Sequence, residues 1–122
     1  MTNPGRRFAM KKNNERAGDN KGKAIKLAGC IGYSKDSVIS KTLLDKGTGT
    51  LTLFAFDKGQ GLSEHTAPFD ATVFVAEGEA SITIGGKKKI VKKGELVIMP
   101  AGVTHSLKAE KRFKMMLIMI RK

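Results

Sequence analysis

Two histidines, His65 and His105, are the only imidazoles in this chain of 122 residues. Imidazole ligates transition metals through a neutral ring nitrogen and exchanges protons at a pH of about 6.5. The pair therefore frames either a metal site or a proton-exchanging pocket for an organic molecule. Two segments surround them: Gly59-x5-His65-Thr66-Ala67-x10-Gly78, and Gly94-x5-Pro100-Ala101-Gly102-x2-His105. Other reactive side chains are sparse. Cys30 is the single cysteine, so no intramolecular disulfide exists, which fits a reducing compartment. It sits in an apolar stretch and reads as a small buried hydrophobe rather than a nucleophile. The methionines Met115, Met116 and Met119 read as core or subunit contact rather than a copper site.

The elements that must position these histidines are strands. Val38–Leu44 alternates and stops at Asp45-Lys46-Gly47; Thr50–Phe56 is β-branched and aromatic and stops at Asp57-Lys58-Gly59. Ala71–Ala76 follows. Glu79–Ile84 and Lys87–Val91 flank Gly85-Gly86, a pair suited to a two-residue hairpin because both glycines accept positive φ. Leu96–Met99 ends at Pro100, and His105–Lys108 and Phe113–Ile120 complete the set. About eight short strands with no helical stretch between them predict an all-β sandwich or barrel. Met115–Ile120 is apolar on both faces, as a strand covered on both sides would be. Ala24–Tyr33 has helix-like apolar spacing broken by glycines, and one short turn or lead-in strand is expected there.

The two histidine segments resemble the paired motifs of the cupin superfamily, whose patterns are Gly-x5-His-x-His-x3or4-Glu-x6-Gly and Gly-x5-Pro-x-Gly-x2-His-x3-Asn. The glycines, the proline, the first histidine and the last histidine are in register here. Phe69-Asp70-Ala71 also resembles one subgroup of short bacterial single-domain cupins. The resemblance implies a double-stranded β-helix, or jelly-roll, barrel over residues 24–122, clearest from about residue 36. It also implies a lumen site in which three histidines and a glutamate hold Fe, Mn, Ni or Zn.

This chain departs from that set. Ala67 occupies the second histidine position, Ala71 the glutamate position with three spacers (Thr72 with four), and Ala109 the final asparagine position. His65 and His105 remain, with a wider and more neutral lumen. Asp70 is one residue out of register and would face away unless a bulge at Pro68–Phe69 turned it inward. Gln60 and Glu64 are further candidates, although Glu64 adjoins His65 and should face outward. Besides a purely structural pair, hydrogen-bonded to each other or to water in a pocket whose ligand is unimportant, two functional readings follow. One is a small-molecule-binding cupin whose ligand site comprises His65, Ala67, Asp70, Ala71 and His105, independent of metal or weakly metal-binding. The other is a metal-dependent isomerase, lyase or dioxygenase using His65, His105 and Asp70. Small cupins imply a homodimer, for which the apolar last strand is suited.

The formal charge is +12, divided as +5 over residues 1–23 and +7 over the rest. Residues 1–23 are too polar to offset the entropy of ordering and read as a disordered basic arm. Lys87, Lys88, Lys89, Lys92 and Lys93 cluster around one strand without aromatic residues to stack bases. Edge protection explains them better than specific nucleic-acid binding. The first thirty residues hold no apolar run of export-signal length, and Met115–Ile120 is too short to span a bilayer. A cytoplasmic protein is expected.

Overall fold

The computed structural model describes the backbone of residues 9–12 and the whole of residues 20–121. Among them, ten strands build two sheets. In chain order they are β1 (Ala9–Lys12), β2 (Ser37–Lys46), β3 (Gly49–Phe56), β4 (Gly61–His65), β5 (Ala71–Glu77), β6 (Glu79–Ile84), β7 (Lys87–Lys92), β8 (Leu96–Met99), β9 (His105–Lys108) and β10 (Phe113–Ile120). One sheet has the order β1-β2-β3-β10-β5-β8 and the other β4-β9-β6-β7. β1 runs parallel to β2, within the stretch expected as an arm; every other pairing is antiparallel. Residues 1–8 and 13–19 of that stretch lie outside the described residues.

The jelly-roll expectation holds. Alternation along the strands sends Val73 and Val75 of β5, Met115 of β10, Ala80 and Ile82 of β6 and Leu107 of β9 into one core between the sheets. Phe56 stacks on Phe113 within it, centroids 4.6 Å apart. Gly85 and Gly86 adopt φ values of 57° and 82°, as a tight hairpin between β6 and β7 requires. The lysine-rich β7 is the last strand of its sheet, where charge opposes pairing with another edge.

β10 is covered on both faces over its first half only; further along, Ile118 and Ile120 border an open groove on the outer face, and Ile120 is 67% exposed. Met115 belongs to the main core, while Met116 turns to a second cluster on the outer face of the six-stranded sheet. Ile31, Leu43, Leu53 and Ala55 form that cluster. Its cover is the segment from Ile25 to Tyr33, which contains a single 3₁₀ turn at Leu27–Gly29. Two buried lysines fasten this strap: Lys41 Nζ donates to Cys30 O at 3.2 Å, and Lys114 Nζ to Ala28 O at 2.5 Å. Their ammonium groups satisfy carbonyls that the non-repetitive strap backbone leaves unpaired. Tyr33 Oη donates to Glu77 Oε2 at 2.6 Å, and Arg112 lies 4.4 Å over the tyrosine ring while pairing with Asp57 at 3.1 Å. Burial, followed by the hydrogen bond and charge of Glu77, pushes the Tyr33 phenol far above its ordinary range.

Candidate functional site: a histidine pair in the barrel lumen

β4, like β1, is a strand that the sequence pattern does not announce. Its residues, Gly-Leu-Ser-Glu-His, are short and polar. It pairs with β9, and the ladder brings the two histidines directly opposite one another: Gly61↔Lys108, Leu62↔Leu107, His65↔His105. β4 advances three residues between the last two pairs while β9 advances two, so Ser63 and Glu64 together oppose one residue. That bulge reverses the alternation. Leu62 and His65 would otherwise occupy opposite faces; here both line the same cavity, and Glu64 is exposed. Gly61 permits the close approach of the two strands, because a Cβ there would lie 2.3 Å from Leu107 O.

The imidazoles meet at their tips. His65 Nε2 and His105 Nε2 are 3.1 Å apart, and the rings stand nearly perpendicular at 72° with centroids 4.3 Å apart. Each Nδ1 contacts a backbone carbonyl two residues earlier: His65 to Ser63 O at 2.7 Å, and His105 to Val103 O at 3.3 Å. The bulge therefore both turns His65 inward and supplies the carbonyl that orients its ring. His105 is buried, with 4% of its surface exposed. Burial, then the neighbouring His65 charge, holds its pKa below the ordinary histidine value, against the opposing pull of Val103 O.

The pair lines a cavity of about 180 Å³ between the sheets. The remaining walls are apolar: Leu62, Ala67, Ala71, Met99, Leu107, Met115, Leu117 and Met119. Ala67 and Ala71 thus line the lumen as expected. Asp70 does not. Its Oδ1 accepts a hydrogen bond from Ala101 N at 2.9 Å, and the side chain borders a separate groove on the outer surface. The ladder irregularity is at Ser63–Glu64 rather than Pro68–Phe69, so nothing rotates Asp70 inward and its expected place in the ligand site is corrected. Sequence reasoning put Met115 and Met119 in the core, where the structure has them, but did not place them at the site. Of the three methionines in β10, Met115 and Met119 line the cavity beside Met99, and alternation from the inward Met115 is the signal that finds them.

A family profile described as "Cupin domain" matches residues 52–121. The chain belongs to the cupin family. Among solved cupin-like structures, a conserved protein of unknown function from Streptococcus pyogenes is 32% identical, with 90% of this chain and 98% of that chain aligned at a TM-score of 0.80. A cupin 2 conserved barrel domain protein from Leptotrichia buccalis is 40% identical over 80% of this chain and 47% of its own, at a TM-score of 0.77. A cupin superfamily protein from Desulfitobacterium hafniense is 26% identical over 84% and 94% of the two chains, at a TM-score of 0.78. An uncharacterised Streptomyces coelicolor protein shares 40% identity over 53 residues, which span 43% of this chain and half of that protein.

The metal shell implied by the cupin motifs does not fit the donors in this lumen. A catalytic transition-metal site takes three or more protein ligands, such as three histidines or two histidines with a carboxylate. Here the lumen offers two imidazoles, with methyl groups at Ala67 and Ala71. Among the described residues, no group of three or more His, Cys, Asp or Glu side chains is arranged to hold a metal ion. Two neutral imidazoles alone make a weak divalent site.

Proposed function

We propose that this chain is a small-molecule-binding cupin whose lumen holds a compact organic ligand, oriented by His65 and His105 without a metal ion. One observation carries this reading: among the described residues, His65 and His105 carry the only ionisable side chains lining an otherwise apolar-walled cavity of about 180 Å³. Such sites bind by apolar contact and fix orientation with a few convergent polar groups. The scale suits a small ligand, since an apolar cavity of ~150 Å³ accepts benzene. A metal-dependent reaction would need a further ligand, and Asp70 is engaged by Ala101 N outside the lumen.

In this reading the partner protein is a second copy. Ile98 and Ile120 are 56% and 67% exposed, and together with Phe69 and Ile118 they border an open apolar groove next to the edge strand β8. The basic strand β7 serves as edge protection, and the lone Cys30 suits a reducing, cytoplasmic setting.

A thermal-shift and native mass-spectrometry screen of small organic compounds tests the function. The expected result is stoichiometric binding that is unchanged by chelator and lost in His65→Ala and His105→Ala. Binding that disappears with chelator and returns with a divalent metal would sink the reading.

A further inference from the structure

Three contacts converge on the ring nitrogens of the histidine pair, and neutral rings have too few hydrogens to serve them. A carbonyl oxygen only accepts, so His65 Nδ1, 2.7 Å from Ser63 O, carries that ring's hydrogen. A neutral His105 has one hydrogen for two acceptors: Val103 O at 3.3 Å from its Nδ1, and His65 Nε2 at 3.1 Å from its Nε2. The pair is one hydrogen short. The other eight lining residues are alanines, leucines and methionines, and none of their side chains donates one.

A hydrogen added to the pair alone would leave a positive charge in an apolar cavity, at considerable desolvation cost. An occupant that brings the hydrogen and an anion together avoids this. Carboxylic acids do so, because imidazole is ordinarily the stronger base (pKa about 6.5 against about 4). Alcohols and phenols are weaker acids than imidazolium and retain their hydrogen. Amides accept and donate without transferring charge.

Resting on the reading that the lumen takes an organic molecule, we propose that its ligand is a compact aliphatic monocarboxylic acid. In water near neutral pH the acid has already lost its O–H hydrogen, so the carboxylate enters together with one proton from solvent. That proton bonds to one Nε2 of the His65–His105 pair, the resulting N–H is shared between the other Nε2 and the carboxylate, and the carboxylate keeps its electron pair. Nothing is oxidised or reduced, and the lumen stays neutral as a whole. The hydrocarbon body lies against the leucine and methionine walls. The cavity volume limits it to about the size of benzene.

The test titrates the full chain, carrying ¹³C-methyl methionine, with 3-methylbutanoate and with its isosteres 3-methylbutanamide and 3-methylbutan-1-ol. The acid is expected to shift the methyl signals of Met99, Met115 and Met119 saturably. Its binding should be at least about tenfold tighter than that of either isostere, the scale of a charged hydrogen bond. Long-range ¹H–¹⁵N spectra of the unmutated protein should show one hydrogen more on the pair in the complex than in the free protein, with both Nδ1 atoms and one Nε2 protonated. Equal binding of the amide or alcohol overturns the acid while leaving a metal-free lumen ligand intact. An acid that moves only surface signals near Lys87–Lys93 overturns it as non-specific anion binding to a basic protein. Unchanged imidazole spectra overturn it also. Loss of acid binding on chelation would instead overturn the metal-free reading of the site.

Discussion

His65 and His105 sit directly opposite one another across the β4–β9 ladder, and their Nε2 atoms meet at 3.1 Å inside the barrel. This relationship joins two motif segments forty residues apart into one chemical unit.

The pH dependence of stability follows from His105. Its pKa is lowered in the folded chain by burial and by the His65 charge. Between that lowered value and the unfolded value of about 6.5, the unfolded chain binds more protons. The contribution of His105 is therefore complete above about pH 6.5 and is lost as pH falls toward the folded value. Urea unfolding of the native chain and His105→Gln between about pH 5 and 8 should show a decline in the native protein that is reduced in the variant.

Restoring the absent cupin ligands should create a metal site. Ala67→His with Ala71→Glu places two further donors on the lumen wall beside the histidine pair. The double variant is expected to gain thermal stability with added Zn²⁺ or Mn²⁺, and to lose it with chelator, where the native protein responds to neither. Equal metal responses in both proteins would contradict the argument from the donor set.

Gly61→Ala should weaken the fold at the site itself. Its Cβ would meet Leu107 O at 2.3 Å and Lys108 Cα at 3.2 Å, both backbone atoms that cannot turn aside. Overpacking of this kind costs about 1–3 kcal/mol. Chemical denaturation should report that loss, together with altered imidazole resonances, because β4 carries His65.

Tyr33→Phe tests the strap. It removes the donor to Glu77 Oε2 but keeps the ring beneath Arg112 and Lys114. A destabilisation of about 1 kcal/mol is expected, with a fall in melting temperature of about 4–8 °C. A larger loss would mean that the tyrosine hydroxyl organises the whole strap.

Ile98→Lys tests the proposed second copy. With Ile98 56% exposed, a lysine there should leave the fold intact while splitting a dimer into monomers, as read by light scattering. A native protein that is monomeric at all concentrations would remove the dimer from the proposal.

Much of this barrel was legible because strand alternation and turn residues report it directly. The Gly85-Gly86 hairpin and the double cover over the first half of β10 follow from those signals, and the cupin spacing located both histidines. Three features were not legible. β4 is too short and polar to stand out, and its bulge depends on the β9 register rather than on any local residue type. Asp70 was placed by counting positions, whereas its orientation is set by Ala101 N, a partner thirty-one residues away. Lys41 and Lys114 read as surface charges on hydropathy alone. They are buried because the strap's carbonyl groups lie across their strands.

The Ser63–Glu64 bulge makes the lumen's chemistry a matter of reading frame along the ladder. If β4 slid against β9 until its pairing was regular beyond Leu62, the residue opposite His105 would be Glu64, and His65 would turn to solvent. An imidazole facing an imidazole would become a carboxylate facing an imidazole, with no change in composition. Conversely, deleting one bulge residue would leave His65 opposite His105 while removing the distortion. A one-residue insertion or deletion in this five-residue strand thus alters either the identity or the anchoring of the group offered to a ligand. An indel here would give an unchanged barrel different binding chemistry by shifting the frame, where the changes at Ala67 and Ala71 would do so by adding donors.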